Sequence, residues 1–158
     1  MERNPITPQG FNDLELRLKH EKEVIRPQIV IDIEVARAHG DLSENSEYDD
    51  AKERQGHCES RINQLEHWVA TAQIIELEEL PRDGIIRFGT TVDIENDAGD
   101  SRTYTIVGQA ESDIANGLIG IAAPLARALI GKEEGDEISV HAPSGKINWE
   151  IVGVSYQS

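Results

Sequence analysis

The stretch YDDAKERQGHCESRINQLEHWVATA, residues 48–72, decides the architecture. From Tyr48, the residues Ala51, Gln55, Cys58, Ile62, Leu65, Val69 and Ala72 follow alternating steps of three and four, the spacing of the a/d seam of a coiled coil. A single amphipathic helix with such a seam needs a partner to cover it. Upstream, Thr7-Pro8 reads as an N-cap with proline in the first helical position, and Phe11, Leu14, Leu18 and Ile25 continue the spacing. A first helix is therefore expected over 8–39. Pro27 lacks an N–H and its ring crowds the preceding turn, so a local kink is expected there. Between the helices, Gly40 can take the left-handed conformation that ends one helix, and Asp41 or Ser43 can cap the next. A link this short makes an antiparallel hairpin, and helices of roughly 30 residues give it a length on the order of 45 Å.

After Pro81 the grammar changes. Segments rich in Val, Ile and Thr near 85–95, 102–107, 118–122, 137–142 and 147–155 read as strands of an antiparallel sheet, separated by turn signals at 97–100 and 143–146. Residues 124–131 read as a short helix, proline first and glycine last. The expected fold class is α+β, with a coiled-coil hairpin over 1–79 and a small sheet domain over 80–158.

Composition narrows the function. The chain has 158 residues, with 30 Asp+Glu against 15 Lys+Arg, a formal net charge of −15, 38% hydrophobic and 4% aromatic residues, and a single cysteine. Such a chain has enough apolar content to fold. Its charge opposes binding to free nucleic acid. One thiol builds neither a disulfide framework nor a cysteine-rich zinc site, and no apolar run approaches the ~20 residues of a membrane span. A reducing cytosol is the expected compartment.

The tip between the helices, from 40 to 50, holds Asp41, Glu44, Glu47, Asp49 and Asp50. Carboxylates are hard oxygen ligands, and Mg²⁺ commonly takes one or two of them together with substrate phosphates. Asp41 and Glu44 are spaced either to hold such an ion within another molecule's site or to form a capping box at a helix start. A shared site with a phosphate substrate points to two-metal chemistry.

The runs GDLSENSEYDDAKERQG (40–56), ITPQGF (6–11), ARAHG (36–40), FGTTV (88–92) and PLARALIGKEEGDE (124–137) together resemble the Gre family of bacterial transcript-cleavage factors, in its GreA-like branch, across nearly the whole chain. The resemblance implies a factor whose hairpin enters the secondary channel of bacterial RNA polymerase. There Asp41 and Glu44 would act as the catalytic pair, helping to hold a Mg²⁺ shared with the polymerase active site, with no cofactor intrinsic to the factor. The polymerase itself would hydrolyse the backtracked RNA and generate a new 3′ end. The resemblance implies an FKBP-like second domain that docks on a coiled coil at the channel rim through Ala123 and Pro124, with alanine where a serine is common in the family. Expected partners are RNA polymerase and the nascent RNA 3′ end, with no membrane, and a monomeric state is expected.

The remaining tip residues keep two readings. Asn45 and Glu47 match the family's tip and can orient it, or serve an ordinary capping turn. Arg37 and Lys52 match the basic patch that contacts extruded RNA, while Lys52 can instead pair with Asp49. Tyr48 begins the seam and can pack there or stack on an RNA base. His20, His39, His57, His67 and His141 lack ligand spacing, and Ser43 and Ser46 have no His–Asp partner for a nucleophilic triad. A channel-binding inhibitor that does not stimulate cleavage is the alternative function, and a hairpin-bearing adaptor is a third.

Overall fold

The computed structural model describes residues 3–40 and 45–156, which form two units, one of residues 11–71 and one joining 3–10 to 72–156. The joint therefore lies at residue 71 rather than at the expected 79, and the first residues fold with the C-terminal part. The physical reason is a pairing too short to read from periodicity. Strand β1 (Asn4–Ile6) runs parallel to β2 (Ala72–Ile74), in register Asn4↔Ala72 to Ile6↔Ile74. Ala72, expected on the helical seam, is thus the first residue of a strand.

The helical unit is the expected hairpin. Helix α1 (Pro8–His20) passes into a π turn (Glu21–Ile25) and then α2 (Arg26–Ala38), while α3 (Ser46–Thr71) returns. Thr7 caps α1, its hydroxyl accepting the Gly10 N–H at 3.0 Å. On the seam, Ala51, Cys58 and Ile62 are fully buried against Ile29 and Ile33, with Leu18, Ile25 and Tyr48 packed at the margin. Burial of each isoleucine side chain among them contributes about 1.5–3 kcal/mol.

The helix runs through Pro27 without a break. Its irregularity appears just upstream, where the Arg26 N–H bonds to the Glu21 carbonyl, closing a turn on the fifth residue instead of the fourth. The steps Glu21→Ile25→Ile29→Ile33 are each four residues, and each overshoots a full α-turn by about 40°. The wider turn takes up that excess and keeps Ile29 and Ile33 on the seam. Two bidentate pairs bracket it, Glu21 with Arg61 (2.7 and 3.2 Å) and Arg26 with Glu59 (2.8 and 2.9 Å).

The second unit carries a five-stranded sheet formed by β3 (Thr90–Asn96), β4 (Ser101–Val107), β5 (Leu118–Gly120), β6 (Glu137–Ala142) and β7 (Gly145–Tyr156), in the order β5-β4-β3-β7-β6. Three pairings are antiparallel, as expected, but β4 and β5 are parallel, so the sheet is mixed. The connection between β4 and β5 carries two 3₁₀ turns, Gln109–Glu111 and Ile114–Asn116, long enough to return the chain to the same direction. The expected strand at 85–95 begins only at Thr90; ahead of it, Ile86 bonds through its N–H to Lys132 and through its carbonyl to Gly131. Helix α4 (Pro124–Leu129) lays Ala126 and Leu129 on a core of Ile86, Val92, Ile94, Ile106, Ile119, Ile138 and Ile151, with Trp149 at its edge.

Candidate functional site at the hairpin tip

The tip is built by the ends of α2 and α3. His39 ends the first helix, its N–H returning to Ala36, and Gly40 follows at φ 111°, a left-handed conformation that suits glycine. Asn45 then joins both helices. Its side-chain amide donates to the Ala36 carbonyl at 2.6 Å, and its side-chain oxygen accepts the Tyr48 N–H at 3.0 Å. One residue therefore adds a second donor to a carbonyl at one helix end and satisfies an orphan amide at the next.

This corrects the expected N-cap. The cap of α3 is Asn45, not Asp41 or Ser43, and the first turn it closes starts at Ser46. Asp41, Ser43 and Glu44 themselves lie outside the described residues.

The other tip residues take definite places. Glu47 is exposed in the first turn of α3, with its carboxylate 3.3 Å from His39 Nδ1. Tyr48 is half-buried against the seam cluster. Lys52 donates to Gln55 at 2.9 Å and not to Asp49, the pairing that its spacing allowed. Arg54 takes acidic partners instead, Asp32 at 3.0 Å and Asp50 at 3.6 Å. Arg37 is exposed in the last turn of α2, and among the described residues neither it nor Lys52 forms an ion pair. The flanks of the tip thus present two cations that no carboxylate among the described residues neutralises.

Away from the tip, Ala123 is the N-cap of α4 and Pro124 its first residue. Alanine supplies no side-chain oxygen there, so the cap rests on backbone alone, with the Arg127 N–H on the Ala123 carbonyl at 3.0 Å. Pro124 is exposed, while Ala123 packs on the core.

Among the described residues, no three His, Cys, Asp or Glu side chains are placed to hold a metal ion, and no helix is long and apolar enough to cross a membrane. Cys58 is buried, with its thiol 3.3 Å from the Glu21 carboxylate. Burial, then that carboxylate, push the thiol above its ordinary value, which makes it a packing residue rather than a nucleophile.

Comparison with known proteins agrees with this construction. Residues 4–74 match the sequence family described as transcription elongation factor, N-terminal, and residues 81–156 match transcription elongation factor, GreA/GreB, C-terminal. A transcription elongation factor GreA of Psychrobacter sp. is 49% identical over 158 residues, spanning 99% of this chain and 100% of that protein. The protein of that name from Verminephrobacter eiseniae is 50% identical over 154 residues, spanning 97% and 98%. Among solved structures, GreA factor homolog 1 of Thermus thermophilus is 26% identical, covering 98% of this chain and 99% of that one, with a TM-score of 0.44.

Proposed function

Because the chain belongs to the GreA/GreB family of transcription elongation factors, we propose that it works on RNA polymerase by inserting its hairpin into the secondary channel and stimulating hydrolysis of backtracked nascent RNA. The observation that carries this reading is the Asn45 bridge. It ties the end of α2 to the start of α3 through one neutral side chain, so the cap observed on α3 is not a carboxylate.

Asp41 and Glu44 are the residues that would hold Mg²⁺, jointly with polymerase ligands and RNA phosphate oxygens. Two carboxylates suit an ion that commonly takes one or two from protein and completes its shell with phosphate and water, and the described residues offer no site of three or more ligands that would compete. When bound, such an ion lowers the pKa of water and offsets charge on the phosphate under attack. The chain's own contribution is positional. Asn45 ties the end of α2 to the start of α3, and Glu47 with His39 adds a contact beside it. Arg37 and Lys52 supply cations for the phosphates of the extruded RNA, with Tyr48 packed beneath. Holding reacting groups at the right geometry is by itself a large part of catalysis.

The remainder of the reading follows. The factor is not itself an enzyme in isolation, since the scissile bond and the remaining ligands belong to polymerase. Ala123 and Pro124 form the docking edge for the rim coiled coil, and the factor acts in the cytoplasm as a monomer. The net charge of −15 disfavours competition for bulk nucleic acid, which suits a protein that finds RNA only through polymerase.

The test is a purified polymerase stalled in a backtracked complex with labelled RNA. Addition of the factor with Mg²⁺ should release short 3′ fragments much faster than polymerase alone. Binding without acceleration would make the chain a channel-occupying inhibitor and refute the cleavage reading.

A further inference from the structure

A third cation stands near the tip beside Arg37 and Lys52, and it is held differently. Arg54 of α3 reaches across the hairpin, its Nη1 donating to Asp32 Oδ2 of α2 at 3.0 Å, while its Nε lies 3.6 Å from Asp50, one turn back on its own helix. Asp32 is itself fixed, because its other oxygen, Oδ1, accepts the Gln28 side-chain amide at 3.0 Å. Those bonds, Gln28 first and then Arg54, keep the Asp32 carboxyl below its ordinary value of 3.8. A guanidinium shared between two carboxylates has little net charge left to offer a phosphate.

The two kinds of cation lie on opposite edges of the hairpin. At about 100° per residue, Lys52 and Arg54 stand about 160° apart around α3, and Asp32 and Arg37 about 140° apart around α2. The buried residues Ala51 and Cys58 on one helix, and Ile33 and Ala36 on the other, fall between them. The Asp32–Arg54 bond joins one edge of α2 to one edge of α3. Arg37 and Lys52 therefore share the opposite edge. That edge carries two cations without an ion pair among the described residues, and the other carries a cation between two carboxylates.

We propose that Asp32 is a specificity-determining residue for RNA: by occupying Arg54, it confines contact with the extruded RNA to the edge that bears Arg37 and Lys52. The inference rests on the function proposed above. Exposed ion pairs contribute little to stability, and this one is 45% exposed at Arg54 and 32% at Asp32. Its consequence is thus electrostatic. Asp32→Asn keeps the shape of the side chain, removes the charge and releases Arg54 for phosphate.

The experiment uses full-length factor on backtracked polymerase, with RNA carrying a photoreactive base in its extruded 3′ segment. Arg54→Gln in the native chain should leave crosslinking to the factor unchanged. Asp32→Asn should raise it several-fold, Asp32→Asn/Arg54→Gln should return it to the native level, and Asp32→Glu, which keeps the charge, should stay close to native. The affinity of Asp32→Asn for the complex should also fall more steeply with salt, by about 0.7 in the log–log slope for one added phosphate contact. A loss of crosslinking in Arg54→Gln alone, no rise in Asp32→Asn, or a rise that persists without Arg54 would overturn the proposal. Loss of helix by circular dichroism in Asp32→Asn would overturn it too, since the pair would then be a stability contact. If native factor binds without stimulating cleavage, the cleavage reading falls while the crosslinking comparison still decides the role of Asp32.

Discussion

The Asn45 side chain donates to the Ala36 carbonyl at 2.6 Å while its oxygen receives the Tyr48 N–H at 3.0 Å, so the end of one helix and the start of the other share a single residue. Replacing it by alanine removes the N-cap of α3 and one of the two hydrogen bonds that the Ala36 carbonyl accepts, the His39 N–H remaining. Asn45→Ala is expected to lower stability by about 1–2 kcal/mol, read from urea unfolding. Amide exchange at Tyr48 should accelerate more than exchange at the mid-helix residue Ile62. Uniform acceleration along α3 would contradict a cap confined to the tip.

The charged pairs that bracket the π turn give the hairpin a pH dependence with a definite sign. The Arg61 hydrogen bonds hold the Glu21 carboxyl below its ordinary value of 4.5, and Arg26 does the same for Glu59. Below 4.5 the unfolded chain binds protons that the folded chain still refuses, so this stability is present above 4.5 and is lost as pH falls through the lowered values. The thermal midpoint should therefore decline below pH 4.5, and less steeply in Glu21→Gln. Glu59 is 45% exposed in its side chain, so Glu59→Gln should flatten the decline less than Glu21→Gln, whose native side chain is 15% exposed.

Cys58 tests the seam directly. It is 1% exposed and its thiol is pushed above the ordinary value of 9.0, so little thiolate exists at pH 8 and little of it is reachable. An aromatic disulfide reagent should react slowly with the native protein and rapidly once the chain is unfolded. Fast reaction in native buffer would place Cys58 off the seam.

Ala123 leaves the N-cap of α4 without a side-chain acceptor. Ala123→Ser is expected to raise the stability of the C-terminal unit by about 1 kcal/mol or somewhat less, as measured by chemical denaturation. It should also tighten binding to polymerase if this edge docks there.

What was legible in the sequence, and what was not, follows from how far each signal extends. The seam from Tyr48 to Val69 repeats over many turns, and the partner helix shows the same repeat, so the hairpin was readable. The π turn left a fainter mark, successive steps of four just around Pro27, which is visible only when the overshoot per turn is summed. Strands β1 and β2 are three residues each and carry no periodicity. Strand direction is not encoded in alternation, so the parallel β4–β5 pairing was hidden. At the tip, Asp41 and Ser43 drew the capping assignment because they follow Gly40 closely. The better signal was Asn45 ahead of Ser46-Glu47, since asparagine ranks among the best N-caps. Lys52 had neighbours of comparable reach at i−3 and i+3, and spacing could not choose between Asp49 and Gln55. The bond from the Thr7 N–H to the Glu111 carboxylate joins residues 104 apart in sequence, a separation that no local pattern reports.

The basic flank of the tip carries its own expectation. Among the described residues Lys52 donates to the neutral Gln55 and pairs with no carboxylate, which leaves its charge for RNA phosphate in the proposed function. Lys52→Ala should weaken crosslinking of the extruded RNA 3′ segment to the factor while leaving the fold intact by circular dichroism. Unchanged crosslinking would remove Lys52 from the RNA contact.

The central claim is that the tip's two carboxylates, Asp41 and Glu44, act in cleavage. The most direct measurement compares RNA fragment release from backtracked polymerase at saturating native factor and at saturating Asp41→Ala/Glu44→Ala, with polymerase binding of both confirmed by competition. The account predicts equal binding and loss of stimulation in the double variant. Stimulation equal to native would contradict it.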